Sequence, residues 1–198
     1  MGYEMTRPAQ KWLGIISVLT SLLLMLFTLA VPYVNHFGTD EDQFTYYTRW
    51  NGRWRSDLLP PNTFENADLL LNFPKSASWL IGLGVLLMIG GAVYLFWITY
   101  TNRADYILRE KPGPIGGGII VLGSLLYLTG SLIYENWAYG SPRPLSGWPG
   151  IGTGRFLTET VRLAPTFWIG FAFALILFGL GFTSIIYYLD TLSKRPVK

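Results

Sequence analysis

The side chains able to do acid, base or metal chemistry are few and scattered. The sequence has no cysteine and one histidine, His36. Thiolate catalysis, disulfides, iron–sulfur clusters and a His-rich metal site are therefore outside what this chain can build alone. A lone imidazole just past the first apolar run reads as an interfacial hydrogen-bonding group. Asp40-Glu41-Asp42 offers carboxylate oxygens, but without the spacing, glycine and distal glutamate of a calcium loop, and reads as a solvated acidic turn. The glycines at 147, 150, 152 and 154 imitate a phosphate-cradling loop, yet no strand precedes them and no Lys-Ser/Thr follows. Glu135 is the acidic residue within an apolar run, one or two residues from its end, and its position suits pairing with an arginine at the membrane surface. No pair of groups is spaced for general acid and base work, so no enzymatic activity, cofactor or metal is expected.

A richer constellation lies in QFTYYTRWNGRWRSDLL, residues 43–59. Asn51-Gly52 is the preferred pair for a two-residue type I′ turn, because both central positions need positive φ. In that register Trp50 faces Arg53, Arg49 faces Trp54 and Thr48 faces Arg55, giving cross-strand cation–aromatic pairs. The residue types are those that dominate interface hot spots. Arg49, Trp50, Arg53, Trp54 and Arg55 are thus the candidate partner-binding residues, for a protein or for lipid headgroups, and equally a cap on the end of a helical bundle.

The elements that must position this hairpin are read from hydropathy. Of 198 residues, 51% are hydrophobic and 14% charged, well below the roughly 25% charged share of a soluble domain. Four apolar runs, 12–34, 78–100, 115–137 and 164–188, are each long enough to cross a bilayer, which needs about 20 residues. The first is too long for the core of a signal peptide. Trp or Tyr marks the run ends, at Trp12, Tyr33, Trp79, Tyr100, Tyr134, Trp137, Trp168, Tyr187 and Tyr188, as for rings anchored among headgroups. Two longer polar loops, 35–77 and 138–163, alternate with a short connection.

The third run carries Gly116, Gly123 and Gly130 at seven-residue spacing, with Gly117, Ser124 and Ser131 beside them. In a helix these form one narrow stripe where another helix can approach closely, because in lipid van der Waals contact replaces the hydrophobic drive. Gly116, Gly123, Gly130, Ser124 and Ser131 are the candidate helix-packing residues. Eight of the 15 Lys and Arg (Arg7, Lys11, Arg103, Arg109, Lys111, Lys194, Arg195, Lys198) fall in the termini and the short connection. Their density there is about twofold that of the two long loops, which puts both termini in the cytoplasm by the positive-inside rule. The 15 basic residues form no dense run, so nucleic acid is not an expected partner.

Four spans, cytoplasmic termini, a longer first outer loop with β-structure and the tripeptide Gly52-Arg53-Trp54 resemble the claudin superfamily, whose first loop carries Gly-Leu-Trp and two cysteines. Here Arg53 replaces the leucine and both cysteines are missing. The resemblance implies a β-sheet on a left-handed four-helix bundle and a role in cell-surface assembly. The expected fold is an all-α membrane protein, a single domain over 1–198 comprising a four-transmembrane-helix bundle with a small extracytoplasmic β-hairpin or sheet subdomain. The expected function is that of an accessory or structural subunit in the cell membrane, contacting lipids and either other integral membrane subunits or further copies of itself. A claudin-like adhesion protein is the alternative, and a small transporter has little polar machinery to work with.

Overall fold

The computed structural model describes residues 7–30, 34–38, 45–48, 50, 54–56, 74–100, 112–139, 159–163 and 165–193. In chain order these form α1 (Arg7–Ala30), β1 (Val34–Gly38), β2 (Thr45–Thr48), β3 (Trp54–Ser56), α2 (Lys75–Tyr100), α3 (Pro112–Tyr139), β4 (Glu159–Leu163) and α4 (Pro165–Ser193). A proline stands at the start of every helix: Pro8 in the first turn of α1, Pro74 just before α2, Pro112 and Pro165 as first residues of α3 and α4. Its missing N–H costs nothing where the helix has no partner for it, and its fixed φ is already helical. At the start of α2, the Ala77 N–H donates to the Pro74 carbonyl at 2.9 Å, tightening the first turn.

All four helices are long and apolar enough to cross a membrane, over Trp12–Leu29, Lys75–Trp97, Pro114–Asn136 and Pro165–Tyr187, as fits a multi-pass membrane protein. Several expected boundaries move. The first run was expected to be helical through 34, but α1 stops at Ala30 and Val34 already belongs to β1. The cause is Pro32, which disfavours helix at the residue before it and cannot donate a helical hydrogen bond. Residues 75–77, expected in the first loop, open α2, and α3 continues past 137 to Tyr139. The last helix runs past 188 to Ser193, since no proline interrupts the polar tail before Pro196.

The contacts divide the chain into two units, each taking a segment of every helix. The first comprises Met1–Met25, Gly82–Leu128 and Ala172–Lys198. Within it the buried faces of α2 and α3 alternate small and large residues every seven positions: Gly84 and Gly91 with Met88 and Leu95 on α2, Gly116 and Gly123 with Ile120 and Tyr127 on α3. A Cβ at Gly84 would stand 2.7 Å from the Gly123 carbonyl oxygen, and one at Gly91 2.9 Å from that of Gly116. Backbone thus lies on backbone, and the side chains of Tyr127, Ile120 and Leu95 lie over Gly84, Gly91 and Gly116. On the other flank of α3, a Cβ at Gly117 would meet the Gly181 carbonyl of α4 at 2.6 Å, and one at Gly14 of α1 would meet the Phe96 Cα of α2 at 3.1 Å.

The second unit comprises Leu26–Ile81 and Thr129–Phe171. Here α3 meets α2 again, with a Cβ at Gly130 2.9 Å from both the Ala77 carbonyl oxygen and the Ile81 side chain. Phe167, wholly buried at the start of α4, lies edge-on to Trp168 with ring centroids 5.4 Å apart. The same unit holds all four strands, which form an antiparallel sheet in the order β3-β2-β1-β4. β1 is central, pairing Val34 with Thr48 on one side and with Leu163 on the other.

Candidate functional site

The buried surface of the helices is lined by hydroxyls. Among the described residues the buried polar side chains are Ser17, Thr20, Ser21 and Thr28 on α1, Ser124 and Ser131 on α3 and Ser184 on α4. Small hydroxyl side chains permit close helix approach and can donate across the gap. The Ser124 hydroxyl does so, reaching the Met88 sulfur of α2 at 3.3 Å. Ser17, Thr28 and Ser131 have buried hydroxyl oxygens without a hydrogen-bond partner. Gly116, Gly123, Gly130, Ser124 and Ser131 are all buried, and the three glycines all face α2. The sequence alone did not show the complementary alternation on α2. Its signal was the seven-residue recurrence of Ala77, Gly84 and Gly91, visible once α3 is known to oppose it.

Tyr134, expected among the interfacial anchors, is wholly buried within the second unit. It occupies the large-residue position of the α3 repeat, seven residues after Tyr127, so helix packing outweighed the pull of the headgroup region. Trp12, Trp79 and Trp168 are exposed near the ends of their spans, joined by Trp97. Glu135 is half-buried one residue before the end of its span. No cluster of three or more His, Cys, Asp or Glu able to hold a metal is present among the described residues.

The hairpin register departs from expectation. Thr48 pairs with Trp54, Tyr47 with Arg55 and Tyr46 with Ser56, so Thr48 does not face Arg55. The shift by one residue moves every β3 position to the other face relative to β2. Five residues, 49–53, join the strands in place of the two expected. Trp50 lies in a turn, half-buried, and not in a cross-strand pair; its carbonyl accepts a hydrogen bond from the Ser78 hydroxyl of α2 at 2.8 Å. Arg49, Arg53 and the Asn51-Gly52 dipeptide lie outside the described residues. Of the five candidate partner-binding residues, Trp54 and Arg55 thus sit on β3, neighbours in sequence and on opposite faces of the sheet.

The sheet brings together residues that sequence reading left apart. Arg55, Tyr47, Asn35 and Arg162 form one continuous row across β3, β2, β1 and β4. Trp54, Thr48, Val34 and Leu163 form the next row, on the opposite face. β4 was expected to be part of the second polar loop, 138–163. Its alternation Thr160, Val161, Arg162, Leu163 was the available signal, weak because five residues carry little periodicity.

Comparison with known protein families gives no match, and no curated protein matches the chain. The claudin resemblance therefore rests on the four spans and Gly52-Arg53-Trp54 alone.

Proposed function

We propose that this chain is a non-enzymatic integral membrane subunit of the cell membrane, with cytoplasmic termini and the β1–β4 sheet as an extracytoplasmic subdomain. Its helices pack against lipid and against the spans of partner subunits. The observation that carries this reading is a set of glycines no described residue of the chain uses. Gly84, Gly91, Gly116, Gly117, Gly123, Gly130 and Gly181 each press on a neighbouring helix, whereas a Cβ at Gly90, Gly118 or Gly179 would meet nothing within 4 Å. Glycine weakens a helix by about 1 kcal/mol relative to alanine. On a membrane span its return is close approach by another helix.

Gly179 is the best placed of the three. It is exposed, and one turn on, the Thr183 hydroxyl donates to the Gly179 carbonyl at 2.8 Å, so the hydroxyl is satisfied within its own helix. Leu175, Ile176, Phe182 and Ile186 surround this pair on an apolar exposed face. Replacing Gly90 or Gly179 by Leu should leave the fold intact and release a copurifying membrane subunit in mild detergent. Loss of self-association alone would favour the cell-surface assembly alternative. If neither substitution changes what copurifies, the subunit reading is overturned.

A further inference from the structure

Tryptophans bound the exposed face of α2 at both ends. Trp79 and Trp97 are 78% and 63% exposed, so neither ring belongs to the packed interior. They stand 18 residues apart on one continuous helix, which at 3.6 residues per turn is five full turns and puts both rings on one face. Leu83, Leu86, Gly90 and Val93 are exposed on that face between them. No charged residue interrupts the stretch from Trp79 to Trp97, whereas the turn before it, Lys75-Ser76-Ala77-Ser78, is polar.

A tryptophan at the end of a span anchors at the headgroup boundary, because its indole is apolar over most of its surface and carries one N–H donor. At 1.5 Å per residue the two anchors lie about 27 Å apart along the helix. Helical side chains lean toward the N-terminus, so both rings shift in the same sense and keep that separation.

The other spans have similar lengths. On α1 the exposed apolar face runs from Trp12 to Leu29, about 26 Å, and the helix ends at the next residue, Ala30. On α3 it runs from Ile115 to Leu132, again about 26 Å, before the polar Glu135 and Asn136. On α4 exposed Trp168 and half-buried Tyr187 lie about 29 Å apart. Within the first unit Gly14 packs against Phe96, which sets Trp12 and Trp97 at one level. These lengths fall short of the roughly 30 Å core of an average bilayer and further short of the about 32–33 Å of a sterol-rich one. A common tilt of about 20° would reduce the α2 band to about 25 Å across the membrane.

We propose that the four spans are matched to a thin bilayer, with a hydrocarbon core of about 25–27 Å, of the class formed by fluid phospholipids with short or unsaturated chains and little sterol. The inference rests on the membrane reading above and names the lipid surface which that reading requires. A partner span lying over Gly90 leaves it unchanged, because the ends of the band set its length.

The test reconstitutes the full chain in phosphatidylcholines with two monounsaturated chains of fourteen, sixteen, eighteen, twenty or twenty-two carbons. Relative affinity for each lipid is read from tryptophan fluorescence, in competition with a dibrominated phosphatidylcholine that quenches it. Affinity should peak at eighteen carbons or fewer and be at least about twofold lower at twenty-two. Lys75 and Trp79 are both exposed, one turn apart on α2, so exchanging them leaves the packed faces alone. Lys75→Trp/Trp79→Leu lengthens the α2 band by about 6 Å and should move the peak to longer chains. A parent peak at twenty carbons or more, a profile flat within twofold, or a peak that the double variant leaves in place overturns the thin-bilayer match. Carbonate extraction of the source membranes separates this inference from the reading beneath it. A chain released into the soluble fraction overturns both; a chain retained in the membrane whose affinity peaks at twenty carbons or more overturns the thickness alone.

Discussion

At Gly123 the packing leaves no room for a side chain, because the atoms a Cβ would meet are the Gly84 carbonyl oxygen at 2.8 Å and the Met88 amide nitrogen at 2.9 Å. Neither is the end of a flexible side chain, so relief requires moving α2 itself. Gly123→Leu should therefore lower the thermal midpoint in detergent, with overpacking of this kind costing about 1–3 kcal/mol or more. Leu125, two positions on, is exposed, and Leu125→Ala should change the midpoint little. Equal midpoints for Gly123→Leu and the parent would show that the α2–α3 contact does not limit stability. The glycine stripe was legible in the sequence because seven-residue spacing on a helix means one face, whatever lies opposite. That Tyr134 is buried was not, since an aromatic ring near a span end satisfies both an interfacial and a packing role.

At the scale of elements, the sheet register is open to a direct test in a chain that has no cysteine. Directly opposed strand residues have Cβ atoms about 4.5–5.5 Å apart, near disulfide range, whereas a one-residue offset puts the pair on opposite faces. Thr48→Cys with Trp54→Cys should cross-link under mild oxidation much faster than Thr48→Cys with Arg55→Cys. The reverse order of rates would restore the two-residue turn and remove Arg55 from the row with Tyr47, Asn35 and Arg162. The helices were readable from apolar length alone; their opening prolines and, for α1, Pro32 are equally local facts, and passing over Pro32 is what carried the first run through to 34. β4 escaped because a five-residue strand is stabilised by its neighbour β1, which lies more than 100 residues away in sequence.

For the whole molecule, the orientation proposed from the Lys and Arg distribution places 35–77 and 138–163 outside. With no native thiol to interfere, Thr39→Cys and Ser146→Cys should react with an impermeant maleimide on intact cells, and Asn102→Cys should react only after permeabilisation. Labelling at Asn102 alone would invert the proposed topology.

What the sequence by itself determined is the part of the structure whose hydrogen bonds close within a segment: four apolar helices and the small-residue stripe of α3. A membrane span must satisfy its backbone internally, so length and hydropathy are enough to define it. Tertiary structure decided what depends on an opposing surface. It set the alternation of α2 against α3, the burial of Tyr134, the one-residue register of β3 and the union of β4 with β1. A strand has no internal partner for its backbone groups. Which segment completes it, and at which residue, is settled by packing between distant parts of the chain.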